Sequence, residues 1–384
     1  MSELRDYINS NNFNSFDELR SELLNKNLDI RENDQLCLIK YDREKNNMDN
    51  LLRDCRGTIV NKSTNKILVF PLRGKHTKDE FINNVCWEDC VVEESIDGTL
   101  VTLYYFNNQW NLSTKGSLDA NCYWNSKKSF RELFYEAANN VGLNIEELKT
   151  DFTYSFVLCH PECRNITKYS TPELYHISSR NIETLEEIDL NINVKKPRIL
   201  KLNEHNLTGA NSYESLIEKL GELQFSEEGF MLYSKNRKYR TKLYGKSHIE
   251  IKNLKGNEAN ILVRLLQLRA DFKNGELSGE TVDKFFKHFP EYYNNYFDIE
   301  FKLDSLSKEI HKYYCEKYKI RNDVEVPKKY NRLLFELHNE YKQLMAKYDP
   351  ERHSYKPNIT LKKVIHFLEN NVEKSYLGYL IDNA

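Results

Sequence analysis

The chain reads Glu93-Glu94-Ser95-Ile96-Asp97-Gly98-Thr99-Leu100-Val101 at its most informative point. Asp-Gly is a common turn, so this stretch alone is weak evidence for any function. The apolar run Thr99–Phe106 follows the turn and predicts a strand. The stretch gains meaning from short motifs that lie before and after it in a fixed order.

Strand-like segments dominate on both sides of this turn, from residue 55 to about residue 252. The connections between them are mostly short, and Asn107-Asn108 predicts a tight hairpin. Helices are predicted at 16–24 and near 128–141 and 213–222. The clearest strand predictions are 36–41, 57–60, 67–70, 99–106, 110–114 and 152–158. This mixture favours an α+β domain built on antiparallel sheet.

Helical periodicity replaces the strands after Gly256-Asn257. Helices are predicted at 258–273, 279–289, 296–319, 327–348 and 360–382. In the fourth, apolar residues recur three and four positions apart, which predicts packing within a helical bundle. These residues are Tyr330, Leu334, Leu337, Tyr341 and Leu344. We therefore predict two domains, 1–256 and 257–384, and 384 residues are enough for each to bury a core.

Composition narrows the class of protein. The formal net charge is -2, so any affinity for nucleic acid has to come from a local patch. Residues 235–255 form such a basic strip, rich in Lys and Arg with Glu250 as its one acid. The charged N-terminus lacks the apolar core of a signal peptide, and no apolar run is long enough to span a bilayer. We predict a cytoplasmic protein that does not bind membranes.

The eight cysteines raise the question of a metal site. Cys86 and Cys90 flank three residues, and so do Cys159 and Cys163, with His160 between the second pair. Zinc knuckles use a two-residue spacing instead. Buried, reduced thiols are therefore the expected state, and zinc is not expected.

Seven short motifs follow one another along the chain. They are Arg53-Asp54-Cys55-Arg56-Gly57-Thr58-Ile59-Val60, Val69-Phe70-Pro71-Leu72-Arg73-Gly74-Lys75, the Ser95 stretch, Ser113-Thr114-Lys115-Gly116-Ser117, Phe156-Val157-Leu158-Cys159-His160-Pro161-Glu162-Cys163-Arg164, Glu228-Gly229-Phe230-Met231 and Tyr239-Arg240-Thr241-Lys242. Their order and spacing resemble the ATP-dependent RNA ligases of the phage tRNA-repair type, within the covalent nucleotidyltransferase superfamily. The resemblance covers residues 35–257 and extends more loosely into the helical tail, which would correspond to that family's all-helical C-terminal domain.

The resemblance implies an ATP-grasp-like ligase domain that uses ATP and Mg²⁺. Such enzymes carry Lys-x-Asp-Gly, and the lysine amine attacks the α-phosphate to form lysyl-AMP; Asp97 and Gly98 match that motif. Glu228 matches a carboxylate that manages metal or the attacking amine. Gly98 would let the backbone approach the nucleotide, and Phe156 matches a residue that stacks on or walls off the adenine. Positions that match cations holding phosphates or shaping the pocket are Arg56, Lys115, Arg240 and Lys242, with Lys75 next to another such position.

Ser95 stands where the family has its nucleophilic lysine. A serine hydroxyl is not ionised near neutral pH, no base is evident next to it in the sequence, and a phosphate ester is a poorer AMP donor than a phosphoramidate. Two explanations remain open: a lysine replaced by engineering to trap a substrate, or natural loss. Val157, Gly74 and Arg240 also depart from the family pattern, which favours natural divergence.

We therefore interpret the chain as an RNA ligase-like protein that binds ATP or another nucleotide and RNA ends, including tRNA-like RNA, without covalent turnover. The alternative is an active ligase that seals 5′-phosphate and 3′-hydroxyl ends through lysyl-AMP and whose lysine at 95 was mutated. Lys115 is a third candidate, as a different nucleophile, although the resemblance already assigns it to phosphate binding. Arg56, Ser95, Glu228 and Lys242 are expected to surround one cationic site. The sequence leaves the particular RNA and the oligomeric state open.

Overall fold

The structure, a computed structural model, describes residues 2–41, 48–351 and 355–383. The chain divides into two units, Met1–Asn253 and Leu254–Ala384. Strands and helices are mixed in the first unit, whereas the described residues of the second form helices without strands. The predicted combination of helices with antiparallel sheet is confirmed.

The strands of the first unit form three antiparallel sheets, with the orders β1-β2-β3-β4, β10-β9-β8-β6-β7 and β12-β11-β5-β13-β14. These strands are β1 (Leu28–Glu32), β2 (Leu36–Tyr41), β3 (Thr58–Asn61), β4 (Ile67–Val69), β5 (Cys90–Glu94), β6 (Thr99–Phe106), β7 (Gln109–Thr114), β8 (Phe152–Cys159), β9 (Glu173–Asn181), β10 (Glu187–Ile188), β11 (Ile199–Leu202), β12 (His205–Asn206), β13 (Gly229–Ser234) and β14 (Arg240–Tyr244). β5 and β6 are consecutive in the chain but lie in different sheets. The turn at 95–98 therefore carries the chain from one sheet to the other.

Turn and capping chemistry sets the ends of these elements. Asn107 and Asn108 have φ angles of 53° and 58°, as a two-residue type I′ turn requires, so the predicted hairpin between β6 and β7 is confirmed. Ser129 and Glu132 form a capping box that begins a helix beside β8 and β9. The helices of this unit are α1 (Glu3–Asn11), α2 (Phe16–Asn25), α3 (Asn50–Asp54), α4 (Lys78–Asn84), α5 (Phe130–Val141) and α6 (Tyr213–Lys219), and α7 (Lys246–Lys255) runs across the boundary between the units.

The helices of the second unit are α8 (Ile261–Lys273), α9 (Gly279–His288), α10 (Tyr293–Tyr314), α11 (Asn331–Ala346), α12 (Leu361–Asn370) and α13 (Lys374–Asp382). The prediction of one helix at 360–382 is wrong, because residues 371–373 are not helical and separate α12 from α13. On α11 and the turn before it, Tyr330, Leu334 and Leu337 are fully buried, as the apolar stripe predicted. None of the described helices is long and apolar enough to cross a bilayer.

Asp54, the last residue of α3, is hydrogen-bonded to the start of α1 and to the segment after β4. Its carboxylate is buried and accepts hydrogen bonds from Ser2 Oγ at 3.0 Å and Leu4 N at 3.3 Å. Arg73, in the segment after β4, donates to the same carboxylate from Nη2 at 3.1 Å and also from Nε. One buried charge thus fixes the start of α1, the end of α3 and the approach to the Gly74-Lys75 segment.

Replacing Asp54 by Asn should lower the free energy of unfolding by about 3 kcal/mol, because Arg73 loses its buried counter-charge. Urea unfolding followed by circular dichroism measures the change. Asp189→Asn is the matched control, since its ion pair with Lys196 is exposed and its loss should cost under about 0.5 kcal/mol. Equal effects of the two substitutions would contradict the role given to Asp54.

Candidate functional site

The turn after β5 places Ser95 against Glu228. Ser95 N–H donates to Gly229 O at 3.0 Å, and its Oγ donates to Glu228 Oε2 at 2.7 Å. The same carboxylate oxygen lies 2.5 Å from Lys242 Nζ. Ser95 and Glu228 are buried, and the Lys242 side chain is only 15% exposed. The base that the sequence did not reveal beside Ser95 is therefore Glu228, but Lys242 already neutralises it.

Strand pairing explains why these three residues meet. β13 lies between β5 and β14, with Phe230 opposite Glu94 and Met231 opposite Lys242. Gly229 begins β13 with a φ of +134°, and a Cβ there would lie 2.0 Å from Leu243 O. Only glycine fits such a position. The Glu-Gly pair at 228–229 thus has a structural reason, because the glycine lets β13 begin directly beside Glu228.

Lys115 lies at the centre of a cationic cluster, which we define as Arg56, Lys75, Lys115, Arg240 and Lys242. Burial lowers the pKa of Lys115 well below its ordinary value of 10.5, and the other four cations lower it further. Burial also lowers the pKa of Lys242, although the Glu228 carboxylate opposes that shift. Of the four residues expected to surround one site, Ser95, Glu228 and Lys242 are in direct contact, whereas Arg56 is linked to them through its electrostatic effect on Lys115.

Arg240 contributes the clearest unpaired hydrogen-bond donors of this cluster. The residue is only 7% exposed, and its Nε and Nη1 atoms have no hydrogen-bond partner within residues 2–41, 48–351 and 355–383. Buried guanidinium nitrogens are normally paired, so unpaired ones mark a place where an anion binds well.

Backbone contacts hold the members of the cluster in place. Gly57, at a φ of +85°, packs so closely on Lys115 that a Cβ would lie 2.9 Å from its Cα, which brings Arg56 and Lys115 together. On the other side, His76 N–H donates to Arg240 O at 2.8 Å, so the Lys75 segment adds to the edge of β14. Lys75 thus lies beside β14, and its predicted role in binding phosphate stays a prediction.

Sequence reasoning missed Tyr244. Its hydroxyl accepts a hydrogen bond from Lys75 Nζ at 3.3 Å. Its ring centroid lies 5.3 Å from Lys75 Nζ, 5.1 Å from Lys242 Nζ and 4.6 Å from Lys252 Nζ. Strand alternation places Tyr244 on the same face of β14 as Arg240 and Lys242, and this spacing of two was the available signal. The aromatic face offsets part of the repulsion among the lysines.

Asp97, Glu228 and His248 form the second feature of the site. All three are buried, and one ligand atom from each lies within 4.8 Å of the others. Asp97 Oδ2 accepts hydrogen bonds from Ile166 N at 2.9 Å and Thr167 N at 2.7 Å. Two carboxylates and an imidazole fit a divalent cation such as Mg²⁺ or Mn²⁺. The sequence assigned Glu228 to a metal but did not identify His248.

Two predicted roles need correction. Phe156 is fully buried in the core between β8 and α5, with its ring centroid 5.7 Å from those of Phe134 and His176. It has no face open to stack on adenine, because its side chain points to the opposite side of β8 from Val157. At Gly98 the close neighbour is β8, since a Cβ would lie 2.5 Å from Leu158 O. The glycine is thus explained by strand packing rather than by a nucleotide.

The basic strip 235–255 is not one exposed face. Lys235 pairs with Asp89 and Arg237 with Glu93, while Arg240 and Lys242 point into the site. The hairpin of β13 and β14 sends alternate residues to opposite faces, which divides the strip. The exposed cations that remain for an external ligand are Lys238, Lys246 and Lys252.

The other histidine–carboxylate cluster already contains a cation from the protein. Glu136, His160 and Glu162 lie close together, but Lys128 Nζ lies 2.9 Å from Glu136 and 2.7 Å from Glu162. In the described part of the chain, no cysteine belongs to a cluster of metal-binding groups. The Cys159 thiol instead contacts Asp97 O at 3.6 Å, and burial raises its pKa.

Lys115→Met should stabilise the ligand-free protein by about 1 kcal/mol at neutral pH, because it removes a cation that the fold does not compensate. The gain should fade as the pH rises towards 10.5, where the lysine is neutral in the folded and unfolded chains alike. Urea unfolding at several pH values measures it. Lys66→Met, at a side chain that is 71% exposed, is the control and should have no effect. A destabilising Lys115→Met would contradict the uncompensated charge.

Known proteins with similar sequences include two that are named for RNA ligase activity. A protein of Autographa californica nuclear polyhedrosis virus, named as a bifunctional polynucleotide kinase/RNA ligase, is 28% identical over 221 residues, covering 52% of this chain and 31% of the relative. The immediate-early protein ICP-46 homolog of Invertebrate iridescent virus 3 is 27% identical over 237 residues, covering 57% and 51%. The RNA ligase of Rhodothermus phage RM378 is 26% identical over 200 residues, covering 42% and 45%. The matched segments thus span about a third to a half of these relatives.

Comparisons of other kinds are weaker. No family model matches the chain. A solved structure of Naegleria gruberi RNA ligase with pyrophosphate has a TM-score of 0.35 at 14% identity, covering 47% of this chain and 58% of that one. That score is too low to establish a common fold. The sequence relatives, however, confirm what the motifs indicated: over about half of its length this chain is similar to ATP-dependent RNA ligase-type nucleotidyltransferases.

Proposed function

We propose that the cationic cluster binds the triphosphate of ATP or a related nucleotide, and that the chain holds nucleotide and RNA ends without charging residue 95. The observation that carries this proposal is Arg240, a buried guanidinium with two nitrogens that lack partners among the described residues. In the same cluster, the pKa of Lys115 is lowered first by burial and then by the other cations. A polyanion supplies the charge that this arrangement lacks.

The chemistry of the cluster suits phosphate better than a single carboxylate. Arginine binds phosphate oxygens through two parallel N–H groups, and lysine adds point charges around them. In the cluster, Lys242 is paired with the Glu228 carboxylate. A triphosphate carries several negative charges, so it can engage Arg56, Lys115 and Arg240 together. The divalent cation that accompanies ATP would be held by Asp97 and Glu228, where it would neutralise phosphate charge.

Position 95 offers no amine for transfer of AMP. The Ser95 hydroxyl is committed to Glu228, and Lys242 shares that carboxylate, so no free base remains to activate the hydroxyl. Nucleotide would therefore be bound and released unchanged. RNA ends are the proposed second ligand, since two of the sequence relatives are named for RNA ligase activity. The exposed cations Lys238, Lys246 and Lys252 would contact the RNA backbone, and a tRNA-like RNA is the finer proposal.

The alternative is an ATP- and Mg²⁺-dependent RNA ligase that lost its lysine at position 95 by mutation. One observation favours it: Ser95 contacts Glu228, which in turn pairs with Lys242. A lysine at this position would extend towards the cationic cluster, whose positive charge would lower its pKa and favour the free amine.

Isothermal titration calorimetry with ATP tests the binding proposal. Arg240→Gln should weaken binding at least about tenfold, because a charge-assisted contact to phosphate is lost. Lys235→Gln is the matched control, since that residue is exposed and paired with Asp89.

Binding of ATP should also weaken as the pH rises towards 10.5, because phosphate raises the lowered pKa of Lys115 and ATP binding then takes up a proton. Absence of ATP binding by the unchanged chain would refute the proposal.

Incubation with ATP labelled at the α-phosphate separates the binder from the ligase. We expect the unchanged chain to remain unlabelled. Ser95→Lys should become labelled if the rest of the site is intact, and Ser95→Met is the control of similar length without an amine. A labelled unchanged chain would show that another nucleophile acts and would overturn the non-covalent proposal. A silent Ser95→Lys would indicate that Val157 and Gly74 also prevent transfer.

A further inference from the structure

We propose that His248 is a metal ligand, which completes with Asp97 and Glu228 a site for a divalent cation that accepts nitrogen ligands, such as Mn²⁺. The site is adjacent to the cationic cluster, and the proposal deepens the proposed function by naming the residue that selects the ion. His248 lies on α7, outside every motif that the sequence identified. The argument rests on the surroundings of each of the three side chains.

His248 has the surroundings of a metal-binding imidazole. It is only 1% exposed, and Nδ1 lies 3.0 Å from Phe225 O. A carbonyl oxygen only accepts, so Nδ1 carries the proton and Nε2 presents its lone pair. No hydrogen-bond partner for Nε2 is found among the described residues. Metal-binding histidines usually donate their other N–H to a backbone carbonyl in this way, which fixes the ring and its tautomer. The Tyr244 ring, stacked at 6.3 Å and 17°, further restricts the imidazole plane.

The two carboxylates are oriented in a similar manner. Asp97 Oδ2 is held by the backbone N–H groups of Ile166 and Thr167. Glu228 Oε2 is held by Ser95 Oγ and Lys242 Nζ. The remaining oxygens, Asp97 Oδ1 and Glu228 Oε1, have no hydrogen-bond partner in the residues that the structure describes. Each carboxylate thus has one oxygen fixed by the protein and one available to an ion.

The separation of the three groups suits one ion. Their ligand atoms lie within 4.8 Å of one another. A small divalent ion holds each ligand at about 2.1 Å, so ligands on opposite sides of it stand about 4.2 Å apart. Ligands on adjacent sides stand about 3 Å apart, so binding of an ion would draw the three side chains closer together. Oxygen ligands alone suit Mg²⁺, whereas an imidazole favours the later divalent metals. The mixed set therefore suits a divalent ion that accepts nitrogen as well as oxygen ligands, such as Mn²⁺.

Charge links the ion to the nucleotide. Lys242 acts electrostatically on both Asp97 and Glu228, and Lys252 lies close to Lys242. These cations oppose a divalent ion in the empty site. A bound triphosphate would favour binding of the ion, because it neutralises the cationic cluster and adds oxygen ligands for the metal. Nucleotide and metal should therefore strengthen each other's binding, a coupling that is equal in both directions.

Electron spin-echo spectroscopy of bound Mn²⁺ tests the ligand directly. The full chain is labelled with ¹⁵N in histidine only, so that a ¹⁵N coupling comes from imidazole and not from ATP. We expect this coupling in the wild-type complex with Mn²⁺ and ATP, and its loss in His248→Gln. His205→Gln, at an exposed histidine, is the control and should keep it. A wild-type complex without ¹⁵N coupling would overturn the proposal.

Calorimetry gives a second readout. For each protein, the ATP affinity with Mn²⁺ is divided by the affinity in EDTA. We expect Mn²⁺ to strengthen ATP binding about tenfold in the wild type, and this ratio should fall towards one in His248→Gln. Circular dichroism and the urea midpoint establish that each variant is folded. An unchanged ratio in a folded His248→Gln would contradict the proposal.

Failure of the proposed function is distinguishable from failure of this inference. If the chain binds ATP but bound Mn²⁺ shows no histidine coupling, the proposed nucleotide binding stands and the role of His248 as a ligand is refuted. If ATP does not bind at all, the spectrum with Mn²⁺ alone still decides. Histidine coupling there would support the site, and its absence would refute it.

Discussion

Positive charge held by the fold without enough carboxylate is the constraint on which this site depends. Lys115 and Arg240 are brought together by strands of different sheets, and burial removes much of the water that would otherwise solvate them. Such an arrangement lowers the stability of the empty protein, which is the usual consequence of a site prepared for a ligand. The hydrophobic cores of the sheets supply the rigidity that holds these charges in place.

The Glu228 carboxylate contacts both Lys242 and Ser95. On one side it neutralises Lys242, and on the other it accepts the hydroxyl of Ser95. This explains how a chain without the nucleophilic lysine keeps its architecture. The Ser95 hydroxyl donates a hydrogen bond to Glu228 Oε2, which would otherwise have Lys242 as its one contact. A serine at position 95 therefore leaves the buried Glu228 carboxylate paired.

Local patterns predicted the elements well and the side-chain environments less well. The strands at 36–41 and 99–106 and the hairpin at Asn107-Asn108 follow from alternation and turn chemistry. The helix at 360–382 was predicted as one because periodicity does not reveal the short break at residues 371–373. Phe156 was misassigned because a strand has two faces, and motif spacing does not say which one meets a ligand. Tyr244 and His248 were missed since neither belongs to a motif.

The sequence by itself determined the order of the motifs, the type of most elements, and the absence of an amine at position 95. These properties depend on neighbours in the chain, and the sequence relatives confirm the resemblance they indicated. Only the tertiary structure decided which charges remain uncompensated and that His248 meets Asp97 and Glu228. The physical reason is distance in the chain: 133 positions separate Ser95 from Glu228, and only the pairing of β13 with β5 brings them within hydrogen-bonding range.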